Sequence, residues 1–244
     1  MKVQDMHYDF KMKFNKIDSQ KNRNLQIPEI DWILNEAEKI FVKLVAYPRK
    51  FTHLGFEVNQ RSTEDIRNIV VSKKIPVNSS IGISAVSGNR LNGVVLPVDY
   101  EMFLRGRCLI TKGKCVNKEA VFIPVQHDDP SDLSENYSSS FDWREVIGNF
   151  DSLGIQLLVK DFFVSEFTLS YIRKREYICF PSGVPGGTYK LPGSSVALSE
   201  NQNSELAEVT HNEIVDIAVM LAAGKIQASD FQIRMNKLSV NQLL

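Results

Sequence analysis

The chain has 244 residues, 43% of them hydrophobic, and its 29 basic residues are balanced by 29 acidic ones. That length allows a substantial core in one elaborate domain or two small ones, and zero net charge gives no general attraction to nucleic acid or to an acidic membrane. The charged, alternating N-terminus lacks the apolar core of a signal peptide, and no run approaches the roughly twenty apolar residues of a membrane span, so a soluble intracellular protein is expected.

In chain order, Val3, Met6, Phe10, Phe14 and Ile17 step by three or four residues and predict an amphipathic helix from Val3 to about Ile17. A polar connector leads to Pro28, which suits the first turn of a second helix running to about Ala46 and ended by Pro48. Ile30, Ile33, Ala37, Ile40, Phe41, Leu44 and Val45 give this helix a strong apolar stripe. From about Ser62, "STEDIRNIVVSKKIPV" reads as a short helical turn passing into a strand.

The middle of the chain then alternates like β-structure. "RCLITKGKCVNKEAVFIPVQ" predicts strands around a Lys112–Gly113–Lys114 turn, and "GIQLLVK" and "EFTLSYIRKREYICF" predict two more, for a mostly antiparallel region. The acidic, serine-rich stretch from Gln126 to Ser140 reads as a long exposed loop, and "PSGVPGGTYKLPGSS", from Pro181 to Ser195, as an irregular and flexible one. Loops of this length in a compact domain are commonly functional.

The last strong element begins at "THNEIVDIAVMLAAGK". Thr210 followed three residues later by Glu213 has the pattern of a capping box. Ile214, Ile217, Ala218 and Leu221 form one stripe, and Val215, Val219, Ala222 and Ile226 a second, so this helix needs cover on most of its circumference. The expected fold class is α+β: a helical bundle from both chain ends with an inserted antiparallel β-sandwich or barrel. The expected divisions are 1–60 for the N-terminal helices, 61–204 for the β domain with long loops, and 205–244 for the C-terminal helix and tail.

Candidate chemistry fails motif by motif. His211 and Glu213 are two apart and so point in different directions on a helix, and no P-C-x-x-C run accompanies the H-x-E. Lys190 in the glycine-rich stretch is followed by Leu191 and Pro192, where a phosphate loop requires Ser or Thr opening a helix. Asp128, Asp129 and Asp132 lack the glycine and terminal glutamate of an EF-hand. Cys108, Cys115 and Cys179 form no C-x-x-C pair and read as buried thiols. No catalytic residue, metal site or cofactor is therefore expected.

Two stretches suit interfaces. Arg173, Lys174 and Arg175, interleaved with aromatics in "YIRKREYICF", have the composition of a nucleic-acid strand platform, with Arg105, Arg107, Lys112 and Lys114 as further positive charge. Phe231, Met235 and Leu238 recur at helical spacing before Leu243 and Leu244, an apolar chain end suited to docking on a neighbour or folding back over its own bundle.

The ordered set "IDWILNEAEKIFVK", "STEDIRNIVV", "LPVDYEMFLRGRCLI", "LSYIRKREYICF" and "HNEIVDIAVMLAAGKIQASDFQ" resembles the neck or ring proteins of tailed bacteriophages, particularly the crAss-like short-tailed group. More distantly it is similar to the tail tubular, or gatekeeper, proteins of other short-tailed phages. The stretch from Asp128 to Ser140 departs most from that pattern. The resemblance implies a non-enzymatic virion subunit, assembled in the host cytoplasm, that forms a homo-oligomeric, twelve-fold ring in the neck below the portal. Portal protein and other neck or tail proteins would be its partners. Packaged DNA would pass through its channel without sequence-specific binding, and no membrane would be involved. The rival readings are a nucleic-acid-binding module built on Arg173 to Arg175, and a hydrolase with an unrecognised site.

Overall fold

The structure is a computed structural model that describes residues 1–15, 25–46, 64–77, 90–125, 139–152, 154–159, 161–192 and 197–225. The apolar tail from Phe231 to Leu244 and the acidic loop up to residue 138 lie outside them. The protein is mixed α/β, with a curled seven-stranded sheet and few helices. It comprises two compact units, one of residues 1–69 with 175–244 and one of residues 70–174.

The helical unit contains α1 (Val3–Asn15), α2 (Ile27–Ala46) and α3 (His211–Lys225). Its packing follows the apolar stripes: α1 buries Val3, Met6, Phe10 and Phe14, and α2 buries Ile30, Ile33, Leu34, Ala37, Phe41 and Val42. Both pack against α3. In α3, Ile214, Val215, Ile217, Ala218, Val219, Met220, Ala222 and Ala223 are all buried, which is the wide apolar circumference that its sequence demands. At its entrance the Thr210 hydroxyl donates to the Ala207 carbonyl, closing the 3-10 turn Glu208–Thr210 that leads into the helix. Burying the larger of these side chains contributes roughly 1.5–3 kcal/mol each, so the unit is held mainly by its helix contacts.

The second unit is built from β1 (Val70–Pro76), β2 (Arg90–Val94), β3 (Tyr100–Lys112), β4 (Cys115–Pro124), β5 (Glu145–Asp151), β6 (Gly154–Val159) and β7 (Phe163–Arg173). They form one sheet in the order β1-β7-β3-β4-β5-β6-β2. Every neighbouring pair is antiparallel except β4 and β5, which run parallel. The expected sandwich or barrel thus takes the form of a single curled sheet. Ile75, Val94, Cys108, Ala120, Val146, Leu157 and Phe167, one from each strand, belong to one buried cluster. A sheet covers its own apolar face in this way only by curling over it.

Aromatic and glycine positions shape the curl. Phe103, Phe122, Phe150 and Phe167 meet edge to face, with ring centroids 5.1–6.2 Å apart. The Phe122 ring needs glycine on both flanking strands: a Cβ at Gly106 would lie 2.8 Å from its Cβ, and one at Gly148 would lie 2.8 Å from its Cε2. At the expected hairpin, Gly113 has φ +56 and Asn117 has φ +53, so the β3–β4 turn is bulged. Residues Cys115 to Glu119 are all exposed there, which corrects the expectation of three buried thiols. Cys108 and Cys179 are buried, and burial pushes the Cys108 thiol up to about 12.

Candidate functional site

The densest polar construction among the described residues lies in the helical unit, on the face of α2 that carries Asp31, Asn35 and Glu38. These residues are four and three apart, and so form a line along one side of the helix. Asp31 and Glu38 are buried. Charged side chains stay buried only where partners satisfy them, and the partners come from His7 on α1 and from the segment that follows β7.

Asp31 accepts from three groups. His7 Nε2 lies 2.6 Å from Oδ1, the Phe180 N–H donates to Oδ2 at 3.1 Å, and the Tyr189 hydroxyl also donates to Oδ2. Burial, followed by the hydrogen bond to Asp31, raises the Tyr189 phenol above its usual range and keeps it a donor. Asn35 reads the backbone of Ile178 as a strand would, taking its N–H on Oδ1 at 2.9 Å and giving Nδ2 to its carbonyl at 2.8 Å. Glu38 accepts the Ser204 hydroxyl at 2.5 Å and lies 3.9 Å from the buried Arg175 guanidinium.

The segment held in this way contains the glycine-rich stretch. Its described residues, up to 192 and from 197, are not the loose loop that the composition suggests. Pro181–Gly183 form a 3-10 turn, Cys179 bridges Gln202, and Tyr189 bridges Leu198. Gly183 packs so closely that an added Cβ would lie 2.5 Å from the Phe180 ring and 2.6 Å from Ile27 Cδ1. Pro181 and Leu191 are buried.

The arrangement positions backbone, with the Phe180 N–H and both Ile178 backbone groups held from α2. Asp31, His7 and Tyr189 are committed to one another and to Phe180. His211 is buried with Nε2 3.2 Å from the Leu206 carbonyl, and burial lowers its pKa from 6.5. Asp216 instead pairs with Lys13 at 2.8 Å, while Glu213 is half-buried in the first turn of α3. Among the described residues no three His, Cys, Asp or Glu side chains form a group suited to a metal ion, and no helix is long and apolar enough to cross a membrane.

Of the basic run, Arg173 ends β7 half-exposed, Lys174 is exposed, and the Arg175 side chain is buried beside Glu38. The three do not lie together on one exposed strand. Arg105, Arg107, Lys112 and Lys114 are exposed, with Lys112 paired to Asp161 and Arg107 3.9 Å from Glu119. Exposed apolar side chains include Trp143 and Phe163 in the sheet unit and Tyr8 in the helical unit. Phe231, Met235, Leu238, Leu243 and Leu244 lie outside the described residues. Sequence reasoning missed Asp31, Asn35, Glu38, His7 and Tyr189. The available signal was a polar line at helical spacing on the otherwise apolar helix α2.

Residues 1–231 match a family model described as phage tail ring protein 3/4 of the crAss-like phages. No curated protein matches the chain.

Proposed function

Because the chain belongs to the family of crAss-like phage tail ring proteins, we propose that it forms a ring of the phage neck below the portal, joining head to tail and continuing the DNA channel. The match over residues 1–231 is the observation that carries this reading, since it takes in both units. The family is a structural one, which places the chain in the virion as a subunit of an oligomeric ring. The proposed ring has twelve copies and contacts the portal and further neck or tail proteins. In that setting the helices from the two chain ends act as one bundle.

A ring of identical subunits uses heterologous contacts, in which each copy presents one surface to the preceding neighbour and a different one to the next. Such contacts ask for rigid, pre-shaped surfaces. The clamped segment along α2 and the curled sheet with its own core both meet that demand. Zero net charge suits a channel wall that DNA must pass without being held.

Native mass spectrometry of neck assemblies released from particles tests the reading. The expected species is a closed ring whose mass is an integer multiple of the chain mass. Recovery only as monomer or dimer, with DNA affinity that falls steeply with salt, would favour a nucleic-acid-binding module instead.

A further inference from the structure

We propose that the sheet unit is a conformational module that opens and refolds on its own while the helical unit stays folded, with both of its chain ends pinned by that unit. The two cores are separate. The apolar cluster of the sheet unit, with Val71, Tyr100 and Phe150 packed against it, draws its described residues from positions 71–171. The buried apolar faces of α1, α2 and α3, together with Ile66, Ile69, Ile178 and Leu206, belong to the helical unit.

The two chain crossings are secured twice, once in each unit. On the helical side, the entering chain is held by the buried Ile66 and Ile69 and by the Asn68 amide, which donates to the Glu205 carbonyl at 3.0 Å. The leaving chain is held by Glu38 beside Arg175, by Asn35 on both backbone groups of Ile178 and by Asp31 on the Phe180 N–H. On the sheet side, Val70 pairs with Ile172, Tyr100 pairs with Arg173, and the Lys174 N–H donates to the Asp99 carbonyl at 2.6 Å. Each of these fastenings lies wholly within its own unit.

Proteins open in cooperative units, and a unit is bounded where the loss of its packing strips no buried contact from its neighbour. Melting the sheet exposes its own cluster and leaves α1, α2, α3 and the polar clamp on α2 with their contacts intact. What then couples the units is the closure of residues 70–174 into a loop, and the entropy of that closure grows only with the logarithm of loop length. Such coupling is reciprocal, so each unit favours the other without being fused to it. The consequence is a subunit whose sheet can open or adjust while its helical packing persists.

Hydrogen exchange of the intact chain, read on peptides from β3 and β7 and on peptides from α2 and α3, tests the module. Gly148→Ala, on β5, should speed exchange in β3 and β7 at least about tenfold and leave α2 and α3 within about twofold of the parent, while Asn35→Ala, on α2, should do the reverse. A Gly148→Ala chain that loses its sheet altogether yet keeps its helices protected supports the module equally. Acceleration of both units alike by either variant would overturn it. As a second measurement, a guanidinium titration of the parent followed by the same peptides should give one midpoint for the strands and another for the helices. A single shared midpoint that both variants move together would contradict the proposal.

Discussion

Two single positions have consequences that can be measured directly. His211 is held neutral in the fold, because burial lowers its pKa below the ordinary 6.5. The unfolded chain therefore takes up a proton at His211 before the folded one does, so folding stability falls as pH drops through about 6.5 and below. Thermal melts of the parent at pH 7 and pH 5 should show that loss, and His211→Gln, which keeps a donor for the Leu206 carbonyl, should flatten it. An identical slope in the variant would assign the pH dependence elsewhere. Gly148 is required for a different reason: a Cβ there would lie 2.2 Å from the Gln156 carbonyl oxygen on β6. Gly148→Ala must move backbone, and it should cost about 1–3 kcal/mol by denaturant titration, as overpacking does.

At the scale of elements, α2 serves two neighbours at once. Its apolar side meets α3, while Asp31, Asn35 and Glu38 hold the 175–204 segment. Asn35→Ala should therefore lower stability by roughly 1–3 kcal/mol, since it removes both hydrogen bonds to Ile178 and strands its part-buried backbone groups. Phe41→Asp in α2 or Ile217→Asp in α3 should cost several kcal/mol, because each places an unpaired charge at a site that is nearly sealed from water. Melts of either variant matching the parent would show that the two helices are not held by this packing. The sheet edges are blunted at the same scale. Lys73, Lys74 and Pro76 lie on edge strand β1, and on the interior strand β4 the exposed start that precedes its pairing with β5 carries the Asn117 bulge and Lys118. Strand addition between copies is thereby disfavoured.

Some of these elements were legible in the sequence. The three helices and the Lys112–Gly113–Lys114 turn follow from local periodicity and turn chemistry, which act within a few residues. β2 and β5 were not legible, because Gly93 and Gly148 interrupt short strands whose pairing is set by distant partners. The candidate site was hidden for the same reason. Asp31, Asn35 and Glu38 are ordinary residues for a solvated helix face, and only the tertiary return of the 175–204 segment turns them into a clamp. The glycine and proline density of that segment signals irregular backbone and says nothing of the buried carboxylates that hold it.

For the whole molecule, the chain's family makes it a structural ring subunit, and its fold is consistent with that role in physical terms. Each unit has its own core, and within the sequence the sheet unit is an insertion between the two parts of the helical one. Val70, where the chain enters the sheet unit, pairs with Ile172, close to where it leaves. The single measurement that tests the central claim most directly is imaging of purified virions with the chain located in the reconstructed density. The account predicts identical copies in a closed ring around the tail axis below the portal, enclosing the DNA path. Virions that lack the chain, or that carry it at a single off-axis position, would contradict it.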